Sequence, residues 1–314
     1  MGATAPWAGP ASAGAERCGG VAQEGHAAAS VTVHGLQAGY DGRQGHVPVL
    51  VDMELALAPG ECLVVVGESG CGKSTLLHLL AGLMAPEVGE VQVDGHTVAA
   101  ADFAGDGLPG CSSGHAAYMF QRDLLLPWKS VLANTVFAAE VARGAGHGGR
   151  GRRSRARGVG RPERLELEKQ ARTILGEFGL AASLDALPRE LSGGMRQRVA
   201  LARTLVLGRG LVLLDEPFGS LDAFTRAELQ GWLLDVMEAH PATWVLVTHD
   251  VREAVLLGDR VAVLAGRPAR MEGWVPVPLD RAARRGLAAP EADGHVMTPF
   301  TRRVHGLLAK GRMS

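Results

Sequence analysis

Hydrophobic and polar positions change period along this chain. Over Val51–Leu57 they alternate, with Met53, Leu55 and Leu57 set against Asp52 and Glu54. A period of two is that of a strand with one face in a core. Pro59-Gly60 ends the pattern, and Cys62–Val66 follows as a short apolar run that enters a Gly-rich turn. Lys73–Leu83 then reads as a helix. Residues 164–180 place Leu167, Ala171, Ile174, Leu175 and Phe178 on one helical face. Leu211–Leu214 and Thr243–Val247 are apolar without alternation, as strands covered on both faces are. Asp222–Ala239 and Asp250–Leu257 read as the helices after them. The order strand, helix, strand, helix predicts an α/β fold around a mainly parallel sheet. A helical segment from about 124 to 207 interrupts it.

Composition adds limits. The 314 residues suit one large domain or two modest ones, and 46% hydrophobic with 21% charged residues is a soluble globular balance. A net charge of −1 gives no global pointer to nucleic acid. The apolar runs stop far short of the roughly 18 residues of a membrane span. Met1–Gly20 lacks the apolar core of a signal peptide. Cys18, Cys62, Cys71 and Cys111 have neither metal nor disulfide spacing, so they read as reduced cytosolic thiols. Disorder is expected for the small-residue stretch 1–29, for the turn formers at 99–114, and for 143–161, with its seven Arg, seven Gly and no acid. An arm that binds nucleic acid or lipid is the alternative reading of 143–161.

Three stretches carry the chemistry. GESGCGKST (67–75) fits the pattern G-x-x-x-x-G-K-S between a strand and a helix. Gly67, Gly70 and Gly72 are expected to take positive φ and let the backbone close on phosphate oxygens. Glu68, Ser69, Cys71 and Thr75 complete the loop, whose amides point at the anion from a helix N-terminus. Lys73 supplies a point charge to the β- and γ-phosphates of ATP, and Ser74 is a magnesium ligand. LVLLDEP (211–217) ends an apolar strand in two acids. Asp215 is expected to hold magnesium, directly or through water, and Glu216 to act as general base for the attacking water. His249 stands 33 residues after Glu216 at the end of a later strand, placed to bond the γ-phosphate and orient water and base. Gln121, after the strand-like AAYMF, can reach magnesium and the water with a neutral amide.

LSGGMRQR (191–198) supplies a second phosphate-binding surface. Ser192 can cap the helix that follows, and Gly193 and Gly194 bare its amides. Because the chain's own phosphate loop lies elsewhere, the natural anion is ATP held by a second copy, head to tail. Tyr40 is placed to stack on adenine; an ordinary turn tyrosine is the alternative. Leu124–Trp128 (LLLPW) is either core or a strip for a partner groove, with Leu126 and Trp128 as its contacts.

Together these residues resemble the ATP-binding subunit of ABC transporters over about residues 31–275. GESGCGKST corresponds to Walker A, Gln121 to the Q-loop and LSGGMRQR to the signature. LVLLDEP corresponds to Walker B, Ser220-Leu221-Asp222 to the D-loop and His249 to the H-loop. The resemblance implies a P-loop, RecA-like core with an antiparallel β subdomain, and an inserted helical subdomain bearing the signature. With the small-residue tail at 1–29, the expected division is an ATPase domain at 30–285 and a C-terminal tail with a short helix at 286–314. The resemblance also implies ATP and magnesium, a homodimer, two membrane-spanning permease subunits, indirect contact with an extracytoplasmic solute-binding protein, and a peripheral place on the cytoplasmic face of the plasma membrane. QRDLLLPWKSVLANT, DEPFGSLDAFTR and GRPAR look like the importers of nitrate, sulfonates and taurine. QRDLLLPW and Trp232-Leu233-Leu234 look equally like the importers of a thiamine pyrimidine precursor. Met195, where many members have Gln, and the insertions at 99–114 and 143–161 depart from the pattern. A soluble ABC ATPase acting on DNA or ribosomes is the second class, favoured only by the Arg-rich stretch. A regulator without turnover is the third, opposed by Glu216 and His249.

Overall fold

The computed structural model describes residues 27–42, 45–98, 115–145, 161–219, 221–288 and 295–311. The expected disorder of 1–26, 99–114 and 146–160 lies outside these residues, as does Ser220. Ten described strands make one sheet. They are β1 (Val31–Gly42), β2 (Gly45–Leu57), β3 (Cys62–Gly67), β4 (Val88–Val93), β5 (His96–Thr97), β6 (Ala116–Met119), β7 (Leu211–Asp215), β8 (Thr243–Thr248), β9 (Arg260–Gly266) and β10 (Ala269–Pro276). Their spatial order is β5-β4-β1-β2-β10-β9-β3-β8-β7-β6. From β9 to β6 every pairing is parallel. From β5 to β2 every pairing is antiparallel, and β10 returns antiparallel to β9. One parallel pair, Ala269 with Leu50, joins the two regions.

The unalternating strands are explained by two cores. Leu63 and Val65 of β3 face one core, while Cys62, Val64 and Val66 face the other. The first core lies under α1 (Lys73–Leu80) and the antiparallel wing. The second holds α2 (Val131–Ala145), α3 (Arg161–Glu177), α4 (Gly193–Leu205), α5 (Ala223–Ala239) and α6 (Val251–Leu257). The five apolar residues expected on one face of α3 and its exit are all buried there. With both sheet faces dry, no strand of the parallel core needs a polar side.

Three boundaries differ from expectation. The structured chain starts before residue 30: the Ala29 amide donates to the Gly210 carbonyl at 3.0 Å, and Ala29 is buried. Residues 143–145 close α2 and Arg161 opens α3, so the ends of the Arg-rich stretch are helical. The chain beyond 286 is more than a tail with a short helix. It carries the 14-residue α8 (Thr298–Gly311), which buries Val304 in the second core. Before it, α7 (Arg281–Gly286) is anchored by Arg281 and the buried Arg284, both on the Asp259 carboxylate.

Glu253 on α6 is buried beside the His249 loop and is pushed up to about 8, by burial first and by the Asp250 charge second. Arg226, Thr248 and Gln230 pull the other way. From the ordinary 4.5 to about 8, the unfolded chain has released this proton and the folded chain has not. Stability from this group therefore falls as pH rises through that window. Glu253→Gln is expected to raise the melting temperature at pH 8 and to flatten its decline from pH 5, as read by thermal melts across that range.

Candidate nucleotide site

Strand β3, the loop after it and α1 set the site's floor. Gly70 and Gly72 do take positive φ, 78° and 104°. Gly67 is required for a different reason from the one expected. It is not in the left-handed region; a Cβ there would meet the Leu264 carbonyl at 2.5 Å and the Cys71 Sγ at 2.7 Å. The Cys71 side chain turns into the core, and burial pushes its thiol up, so the residue offers the loop only its backbone. Burial likewise pushes Cys62 up to about 12, and both remain free thiols. Lys73 is buried under the loop. Its Nζ donates to the carbonyls of Gly67 at 3.0 Å and Glu68 at 2.9 Å and lies 3.6 Å from Glu216 Oε1. That curls the backbone around the ammonium. Thr75 is buried, and its Oγ1 lies 3.2 Å from the Tyr40 hydroxyl. Tyr40 stands on β1 opposite Val47, half exposed, so it is a strand residue rather than a turn tyrosine.

Parallel strands ending side by side bring the acids to the same rim. Asp215 closes β7, and its Oδ1 accepts from Ser74 Oγ at 3.1 Å. Its Oδ2 accepts from the Tyr118 hydroxyl at 3.0 Å. Burial and the Asp215 charge both push the Tyr118 phenol up, so it stays a donor. Glu216 is the next residue, with φ of 43°. A left-handed non-glycine residue is strained, and such strain gathers at functional sites. Here the turn lifts the Glu216 side chain off the strand end. Its Oε2 lies 3.2 Å from His249 Nδ1 and accepts from Gln121 Nε2 at 3.3 Å. Residues from four places in the sequence thus meet at one carboxylate: Lys73, Gln121, Glu216 and His249.

Magnesium fits this set. A carboxylate and a hydroxyl 3.1 Å apart are hard oxygen donors. Among the described residues no three His, Cys, Asp or Glu side chains gather as a metal cage. A cation that shares its oxygens with a polyphosphate does not need one.

The second surface is built at the start of α4. Ser192 caps it, accepting from the Met195 amide at 3.2 Å. Gly194 is buried rather than bared: a Cβ there would lie 3.1 Å from Thr225 Cγ2, so its smallness lets α4 close on α5. Gly193 is partly exposed beside Leu221. Asp222 caps α5 and accepts from the Thr225 amide at 3.0 Å, which holds its carboxylate below the usual range. Among the described residues, Ser192, Gly193 and Gly194 make no hydrogen bond to the Lys73–Glu216 cluster.

Three features were missed in the sequence. Asn134 is buried and ties its amide to the Leu126 amide and to the carbonyls of Leu126, Lys129 and Ser130. Arg203 of α4 donates to the Asp123 and Leu124 carbonyls, and Arg196 pairs with Asp123 at 3.2 Å. These clamps hold the loop after Gln121 so that Trp128 stands 73% exposed and Leu124 52%, while Leu126 is only partly exposed. Leu124, Pro127 and Trp128 face outward, while Leu125 packs against the second core. Tyr118 is the third, and its one signal was a hydroxyl in the otherwise apolar AAYM.

A glycine loop around a buried lysine, a Ser–Asp pair and a braced glutamate at the ends of parallel strands define a nucleotide-hydrolysing P-loop protein. Residues 50–219 match the family described as ABC transporter. The chain belongs to that family, and its activity is ATP hydrolysis that powers transport. It is 42% identical over 79% of its length to 90% of the aliphatic sulfonates import ATP-binding protein SsuB 1 of Xanthomonas axonopodis pv. citri (strain 306). It is 40% identical over 82% of its length to 86% of the taurine import ATP-binding protein TauB of Pseudomonas aeruginosa (strain UCBPP-PA14). Among solved structures it is similar to the dimeric post-hydrolysis state of the ATP-binding cassette MJ0796 bound to ADP and phosphate. The TM-score is 0.62 at 26% identity, over 80% of this chain and all of that one. The P-loop core, antiparallel β subdomain and helical insertion expected from the sequence are the fold of that cassette.

Proposed function

We propose that this chain is the ATPase subunit of an importer for sulfonate-type solutes, taurine among them. It works as a head-to-tail pair on two membrane-spanning partners at the cytoplasmic face of the inner membrane, beneath an extracytoplasmic solute-binding protein. The observation that carries the hydrolytic part is the bracing of Glu216 by His249 and Gln121 within reach of Lys73. The names of the relatives support the solute class. Among the described residues no helix is long and apolar enough to cross a membrane.

The loop amides of 67–75 and Lys73 bind the polyphosphate of ATP, and Tyr40 offers a ring to adenine. Ser74 and Asp215 would hold magnesium, which when bound neutralises charge on the β- and γ-phosphate oxygens. Glu216 accepts a proton from the attacking water as its oxygen bonds the γ-phosphorus, and the bond to the bridging oxygen breaks. His249 and Gln121 fix the direction of that carboxylate. Ser192 and Gly193 of the second copy close the site on the γ-phosphate.

Trp128 carries the partner contact. Large, exposed and held by the Asn134 clamp, it has the profile of an interface anchor. Trp128→Ala is expected to leave phosphate release by the isolated subunit within about twofold, since it touches no atom of the site. Recovery with the co-expressed membrane subunit is expected to fall about thirtyfold, the cost of one anchor. Uptake of labelled taurine should fall with it. Equal recovery and equal uptake would remove the strip from the interface.

A further inference from the structure

Asp215 is held at both carboxylate oxygens, and only one of its two partners belongs to the phosphate loop. Ser74 Oγ donates to Oδ1 at 3.1 Å. Tyr118, on the neighbouring edge strand β6, donates to Oδ2 at 3.0 Å. Register puts Tyr118 beside Leu213, two residues before Asp215, so its hydroxyl reaches along β7 to the strand end. The ring is fixed from two sides, by Phe120 at 4.6 Å and by His78 of α1 at 5.7 Å between centroids. Asp215 itself is 7% exposed, so water does not replace a lost partner cheaply.

We propose that Tyr118 is a positioning residue for the metal site: by occupying Oδ2 it keeps Oδ1 turned toward Ser74, so the pair is set for a divalent cation before the cation arrives. The inference rests on the reading of Ser74 and Asp215 as the magnesium pair. Ser74 alone fixes one oxygen and leaves the carboxylate free to swing about its own axis. The Tyr118 hydroxyl removes that freedom. Groups that orient a metal-ligating carboxylate from behind typically change metal affinity by 10–100-fold when removed.

Tyr118→Phe isolates the effect, because the ring and its contacts with Phe120 and His78 stay and one oxygen is lost. The measurement is manganese affinity with ATP bound, read by electron paramagnetic resonance in the non-turning-over Glu216→Gln background. The added Tyr118→Phe change is expected to weaken manganese binding about tenfold. ATP affinity in the presence of a chelator should stay within about twofold, because the phosphate loop is untouched. Manganese affinity within twofold of the parent would overturn the role of Tyr118 and leave the Ser74–Asp215 pair standing. An equal loss of ATP affinity with chelator would overturn it as well, by making Tyr118 a support of the fold. A parent that binds no manganese with ATP would take down the Ser74–Asp215 reading and the inference together.

Discussion

Glu216→Gln is expected to cut ATP turnover by about 10²–10⁴ while ATP still binds. The amide keeps the volume and the hydrogen-bonding reach toward Gln121 and His249, so the turn at the end of β7 has no reason to relax. What it loses is the lone-pair basicity that takes the water's proton. It also removes the anion 3.6 Å from the Lys73 ammonium, which leaves Lys73 freer to serve the polyphosphate. Affinity for ATP should thus be unchanged or higher. Phosphate release under saturating ATP, with calorimetry for binding, separates the two effects. A fall in both together would mean that Glu216 holds the loop and does no chemistry.

Lys73→Ala is expected to weaken ATP binding at least tenfold. Charge-assisted hydrogen bonds contribute about 1.5–3 kcal/mol each, and the ammonium serves several phosphate oxygens at once. The structure adds a second cost. The Gly67 and Glu68 carbonyls now bonded to Nζ at 3.0 and 2.9 Å would lose their donor, and the loop its inward curl. Calorimetric titration with ATP is the check, and an unchanged affinity would remove Lys73 from the site.

The parts of the fold legible in the sequence were those where one physical demand dominates. Leu211–Leu214 and Thr243–Val247 are apolar at every position because both sheet faces are covered, and their strands fall where that pattern lies. Asp222 and Asp250 start their helices because each accepts hydrogen bonds from first-turn amides. The helix from Lys73 stops earlier than the pattern suggests, at Leu80 rather than Leu83, because Gly82 adopts φ of 67°. β1 was hidden by register shifts between Val33 and Gly39, which break its alternation. α8 does carry a helical period, with Phe300, Val304, Leu307, Leu308 and Gly311 on one face, and that face packs on the sheet.

At the site, the sequence singled out residues whose type states a chemistry, and the structure brings Lys73, Glu216 and His249 together beside the Ser74–Asp215 pair. Those that act by position were not. Asn134 and Arg203 look like ordinary helix-surface residues until the loop of Asp123–Trp128 folds back on them. Tyr118 looks like a strand filler until β6 is laid beside β7. Gly67 and Gly194 were found for the wrong reason, since close packing and not a special φ or a bared amide requires them.

In the proposed head-to-tail pair a complete site needs two copies, with Ser192 of one facing the ATP on the loop of the other. The most direct test of that pairing is the mass in solution of Glu216→Gln by light scattering, with and without ATP. The expected mass is 32.8 kDa without nucleotide and twice that with it. Adding Ser192→Arg, which fills the second surface with charge, is expected to return the ATP-loaded protein to the single mass. A mass that stays at 32.8 kDa with saturating ATP, or a dimer indifferent to Ser192→Arg, would contradict it.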